Sequence, residues 1–129
     1  MILVDTSVWI AHLRAGHARL AQLLERGLVL GHSWVIGELA LGHLSQRREI
    51  IRLLTSLPQA TVATTGETLA LIERHQLYGL GIGYVDAQLL AATKLTSDAA
   101  LWTNDKRLLA AAIRLGCAID PVLLTADER

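Results

Sequence analysis

The chain has 129 residues, 52% of them hydrophobic, with 12 basic and 12 acidic side chains and one cysteine. That length suits a single domain over residues 1–129 with a real core, and a lone Cys117 rules out an internal disulfide and a cysteine-built metal site, with a reduced cytoplasm as the expected setting. No stretch reaches the roughly 18 unbroken apolar residues of a membrane span, the N-terminus lacks a secretory pattern, and a formal net charge of zero argues against indiscriminate nucleic-acid binding.

Met1–Val4 reads as a short buried strand that stops on Asp5, and Thr6 or Ser7 is placed to cap a helix through about Leu13. His17–Arg26 places Ala18, Leu20, Ala21 and Leu24 at helical spacing until Gly27 ends the run. Leu28–Leu30 reads as a second strand. Ser33 then opens a helix carrying Trp34, Val35, Leu39 and Leu41, and Ser45–Leu57 is amphipathic, with Arg47, Arg48, Glu49 and Arg52 off its apolar face. Thr61–Thr64 predicts a strand, Glu67–Leu77 a helix, and YGLGIG a glycine-rich loop. Tyr84–Leu95 is a nearly all-apolar helix, Ala99–Thr103 a strand, Lys106–Leu115 a helix and Cys117–Ile119 a last strand. Residues 121–129 read as a loose tail. Strands alternating with helices predict an α/β fold, a three-layer sandwich with a mostly parallel central sheet.

Four carboxylates fall where apolar residues belong. Asp5 ends the first strand and Asp105 follows the buried-looking "LWTN". Glu38 lies inside "WVIGELAL", and Asp86 precedes Leu89 and Leu90 by three and four residues, on a face that should be core. Helix capping or an arginine partner is the ordinary explanation. It is weak for Glu38 and Asp86, which have no basic residue three or four positions away. In open α/β sheets, ligands bind beyond the carboxyl ends of the strands, where Asp5 and Asp105 lie. Glu38 and Asp86 fall in the first turn or two of their helices, where the dipole favours negative charge. Four converging carboxylates repel one another, a hard divalent cation removes that repulsion, and oxygen-only ligands select Mg²⁺ or Mn²⁺.

The ordered set "ILVDTSVWI", "VIGEL", "GIGYVDAQLLA" and "LWTNDKRL" resembles a PIN domain, and more closely the VapC-type ribonuclease toxins of bacterial toxin–antitoxin pairs. The resemblance implies a metal-dependent endoribonuclease that hydrolyses RNA phosphodiester bonds, leaves 5′-phosphate and 3′-hydroxyl ends, and is neutralised by a cognate antitoxin. It assigns metal binding and catalysis to Asp5, Glu38, Asp86 and Asp105, and supporting polar roles to Thr6, Ser7, Thr103 and Asn104. Asp5, Glu38 and Asp86 stand nearest a first ion, with Asp105 serving a second ion or acting through water. It also implies a homodimer, with the antitoxin lying along the first helices, roughly Trp9–Leu24 and Trp34–Leu54.

Setting the four acids aside leaves eight acidic against 12 basic residues, a net of +4. Arg47, Arg48 and Arg52 on one helix, and Lys106 and Arg107 beside Asp105, are candidates to grip RNA phosphates; a solvated helix face is the plainer reading of the first three. Trp9, Trp34 and Trp102 lie in apolar runs and read as core or interface packing. "GLGIG" lacks the third glycine and the preceding strand of a dinucleotide loop, and reads as the turn that delivers Asp86. The alternatives are a catalytically silent PIN-fold binding module and a receiver-like signalling domain, for which Lys106 stands in the wrong context. An Asp-nucleophile phosphatase lacks its second Asp, since Ser7 stands there.

Overall fold

The computed structural model describes residues 1–125. Its sheet has three parallel strands, β1 (Ile2–Val4), β2 (Val29–Leu30) and β3 (Ala100–Trp102), in the order β2-β1-β3. Ile2 and Leu3 stand opposite Val29 and Leu30 on one side of β1, and opposite Ala100 and Leu101 on the other. With neighbours on both edges, β1 is buried along its length, which is why its sequence is an unbroken apolar run rather than an alternating one.

Helices α1 (Thr6–Ala15) and α2 (Ala18–Glu25) connect β1 to β2. Four more, α3 (Ser33–Ala40), α4 (Arg47–Ser56), α5 (Thr65–His75) and α6 (Tyr84–Leu95), connect β2 to β3, and α7 (Lys106–Arg114) follows β3. The α/β class with a parallel sheet is therefore as the sequence predicts, with more helix and less strand.

Two predicted strands shrink to single bridges. The one expected at Thr61–Thr64 is replaced by a parallel bridge between Gly31 and Gln59. Thr61–Thr64 is diverted: the Thr61 N–H donates to Thr96 Oγ1, and Thr64 caps α5 in a reciprocal pair with Glu67. Cys117–Ile119 pairs with β3 only through Leu101 and Ala118. The expected tail is also corrected in part, since Pro121–Leu124 forms a 3₁₀ turn tied to α2 by a bond from Arg19 Nε to the Leu123 carbonyl. Residues 126–129 lie outside the described part.

The helices at Tyr84 and Lys106 start where expected, while the caps of α1 and α3 differ. Asp5, not Thr6 or Ser7, occupies the cap position of α1 and makes no side-chain cap there. His32, not Ser33, caps α3, its Nδ1 accepting from the Trp34 N–H at 3.0 Å. His32 is fully buried, burial pushes its imidazole pKa down, and its Nε2 finds no partner among the described residues.

Helix α6 is the axle of the fold. Seven successive residues, Ala87 through Thr93, are buried, the signature of a helix covered all round. Burial of Leu89 and Leu90 stabilises the fold by roughly 2 kcal/mol each. Asp86 sits one residue before this run, so its backbone is fixed by the core itself.

With its bridges counted, the sheet runs Gln59, β2, β1, β3, Ala118. The connection after β1 leads to one side and the connection after β3 to the other. The chain therefore diverges between β1 and β3, the crevice where open α/β sheets place their ligands.

Candidate active site

Asp5 leaves β1 at that divergence. Its N–H donates to the Trp102 carbonyl at 2.9 Å, so the two strand ends are stitched together where the carboxylate emerges. Asp5 is only 6% exposed, and a buried carboxylate needs donors. Two hydroxyls supply them, Ser7 Oγ and Thr103 Oγ1, each donating to Asp5 Oδ2 at 2.7 Å. Each hydroxyl is in turn an acceptor, Ser7 from the Asn104 N–H and Thr103 from the Asp105 N–H, both at 3.0 Å. The result is a closed relay in which the 103–105 turn holds Asp5, and Asp5 holds the turn.

Asp105 caps α7, its Oδ1 accepting from the N–H groups of Arg107 and Leu108. The ordinary explanation for this acid is thus present, on one of its two oxygens. Asp86 stands in the first turn of α6 and accepts from the Gly83 N–H through Oδ2 at 3.1 Å. Glu38 accepts from Thr6 Oγ1 at 2.6 Å. One expectation about Glu38 is corrected: it lies third from the end of the eight-residue α3, where the helix dipole disfavours negative charge. The Thr6 hydroxyl offsets that.

Burial is the main cause that pushes the Asp86 carboxyl above its ordinary value. The Gly83 N–H opposes the shift in part, and the charges of Asp5, Asp105 and Glu38 add to it. Asp5, Glu38 and Asp105 therefore all bear electrostatically on Asp86, although steps of 33, 48 and 19 residues separate the four along the chain. The hydrogen bonds among the described residues engage one oxygen of each: Asp5 Oδ2, Glu38 Oε1, Asp86 Oδ2 and Asp105 Oδ1. An oxygen-only donor set of this kind suits a hard divalent cation. Among the described residues no three His, Cys, Asp or Glu side chains stand ready to share one ion. Holding one would need these carboxylates to draw closer, against the repulsion that helps to raise the Asp86 carboxyl.

The candidate RNA-gripping residues divide. Arg47 donates to the carbonyls of Ala40 and Gly42 and so closes the end of α3, a structural role. Arg48 and Arg52 are exposed on α4. Lys106, Arg107 and Arg114 border a recess of about 290 Å³ with Leu80. Arg107 lies across the glycine loop: a Cβ at Gly81 would meet its guanidinium nitrogen at 2.6 Å, and Gly81 has φ of +77°. Replacing Gly81 by Ala is accordingly expected to cost about 1–3 kcal/mol and to dislodge Arg107, read as a lower melting temperature.

The sequence reading missed an aromatic pair. Trp34 and Tyr84 meet edge to face, ring centroids 5.8 Å apart, and are 38% and 40% exposed rather than buried. The available signal was spacing, since Trp34 lies one helical turn before Glu38 and Tyr84 two residues before Asp86.

A profile of the PIN domain matches residues 2–114. Proteins named Ribonuclease VapC32 from two strains of Mycobacterium tuberculosis, CDC 1551 / Oshkosh and ATCC 25618 / H37Rv, are each 51% identical to this chain over 119 residues, covering 92% of it and 96% of the relative. No solved structure gives a significant match.

Proposed function

This chain belongs to the PIN domain family, and from that premise we propose that it is a Mg²⁺- or Mn²⁺-dependent endoribonuclease, the toxin of a toxin–antitoxin pair. The observation that carries the reading is that Asp5, Glu38 and Asp105 all reach Asp86 electrostatically, with Asp5 and Asp105 following the diverging strands β1 and β3. Relatives named as ribonucleases, similar along nearly the whole of both chains, support RNA as the substrate.

Asp5, Glu38 and Asp86 are the residues that would hold a first ion, with Asp105 serving a second or acting through water. A bound divalent ion supplies Lewis-acid activation of a phosphate and a water acidic enough to lose its proton near neutral pH. The chain's own part is orientation. The Ser7 and Thr103 hydroxyls fix the Asp5 carboxylate from one side, Thr6 fixes Glu38, and the first turn of α7 fixes Asp105. Lys106 and Arg107 line a basic edge that suits the phosphate backbone. Hydrolysis would leave 5′-phosphate and 3′-hydroxyl ends.

A groove of about 430 Å³ runs from Ile10, Leu13 and Arg14 of α1 to Leu39 and Ile50, with Glu38 on its wall. Its mixed lining, apolar at Ile10, Leu13, Leu39 and Ile50 and polar at Arg14, Glu38, His43 and Ser45, suits an amphipathic antitoxin segment. A homodimer and a cytoplasmic setting belong to the same reading. No helix among the described residues is long and apolar enough to cross a membrane.

The direct test is incubation with total RNA in Mg²⁺ or Mn²⁺, with and without EDTA, and mapping of the ends. Cleavage should appear with either ion and vanish on chelation. Cutting that persists after complete chelation would reject the metal-dependent reading, and binding without cutting would favour a silent PIN-fold module.

A further inference from the structure

Trp34 and Gly37 line an open recess beside Glu38, and Tyr84 packs against the Trp34 ring from outside that lining. The recess, about 530 Å³, is lined by Ser33, Trp34, Gly37, Glu38 and Leu41. Its aromatic wall is braced. The Trp34 backbone is anchored by the His32 cap, and the Tyr84 hydroxyl accepts a 2.9 Å bond from Gln88 Nε2, a side chain only 2% exposed in the buried run of α6. Trp34 is thus a part-exposed ring braced edge to face by Tyr84, and little further entropy is lost when a ligand settles on it.

Gly37 is the second observation. It sits inside a helix, where glycine is unfavourable relative to alanine. No packing demand explains it, because a Cβ there would meet nothing within 4 Å. Bare helical backbone facing open space beside a tryptophan is what a flat ligand approaching closely would need.

Resting on the nuclease reading, we infer that Trp34, backed by Tyr84 and floored by Gly37, is a stacking platform for a base of single-stranded RNA next to the phosphate being cut. Unpaired bases stack on aromatic faces with little regard to sequence, and single-stranded loops are where proteins read RNA. Trp34 and Glu38 share one face of α3 one turn apart, about 6 Å along the axis. A base seated on the indole therefore puts its own phosphate group within reach of the acids.

The probe is a labelled single-stranded RNA spanning a site that the wild type cuts, together with versions abasic at each position flanking the cut. Trp34→Ala should raise KM roughly tenfold to a hundredfold on the intact RNA, leave kcat within a fewfold, and add nothing on the one abasic RNA that lacks the stacked base. Trp34→Phe should recover most of the loss. Gly37→Ala should raise the melting temperature and yet raise KM, a combination that a structural role does not produce. Trp9 and Trp102 are 1% and 3% exposed, so acrylamide quenching reports chiefly on Trp34, and RNA added in EDTA should protect it.

Wild-type cleavage with unchanged Trp34→Ala kinetics overturns this inference alone. So does an equal loss on every abasic RNA, or a change in oligomeric state in Trp34→Ala, which would make the ring an interface between copies. A wild-type chain that cuts no RNA instead removes the nuclease reading, and this one with it.

Discussion

Asp86→Asn is expected to reduce RNA cleavage by on the order of a thousandfold while leaving the metal-free fold as stable as the wild type or more so. The Asp86 carboxyl is raised, chiefly by burial and further by Asp5, Asp105 and Glu38. A raised value in the folded chain means that folding favours the protonated form. That contribution is fully present below the ordinary carboxylate range and is lost as pH rises through the folded value. At neutral pH without divalent ions, ionised Asp86 therefore opposes folding. Asn removes the charge and still offers Oδ1 to the Gly83 N–H. In EDTA the variant should melt at or above the wild-type temperature at pH 7 to 8, and the gap should close on acidification below about pH 4. Added Mg²⁺ should raise the wild-type melting temperature and barely move the variant. A variant several degrees less stable than wild type in EDTA at neutral pH would make Asp86 a structural residue and its place in the site wrong.

The same repulsion explains what could be read from the sequence. A carboxylate after an apolar run, as at Asp5 and Asp105, is legible because burial of charge is costly enough to demand a reason. Asp86 is legible for the same cause, placed one residue before Ala87–Thr93. The sheet edges were not legible. Whether Thr61–Thr64 or Gln59 pairs with β2 depends on where the chain arrives beside Gly31, and the three-dimensional demands of the Thr64–Glu67 cap decide it. His32 escaped because imidazole is an uncommon cap, while Ser33 next to it is a common one. Trp34 escaped because an indole in an apolar run reads as core. In α3, Val35 and Leu39 take the inward face, which leaves Trp34 and Glu38 turned out together. Arg47 was placed among the RNA contacts on charge alone, since nothing local foretells the two carbonyls it closes.

The relay around Asp5 carries the other large effect. Thr103→Val keeps the shape of the side chain and removes the hydroxyl. Asp5, almost fully buried, then loses one of two charge-assisted bonds, and the Asp105 N–H loses its acceptor. The expected cost is about 2–4 kcal/mol, because a buried charge left short of donors is penalised more than an exposed one. Cleavage should fall along with stability, since both Asp5 and the turn bearing Asp105 lose their restraint, whereas Thr103→Ser should retain most of both. A double-mutant cycle separates this from simple loss of packing. In an Asp5→Ala background there is no charge for the hydroxyl to serve, so Thr103→Val should cost only about 1 kcal/mol, the share owed to the Asp105 N–H. Denaturant melts of the four proteins in EDTA measure the coupling. If the two substitutions add without interaction, the hydroxyl does not support the carboxylate, and the convergence of β1 and β3 on Asp5 is held by the backbone alone.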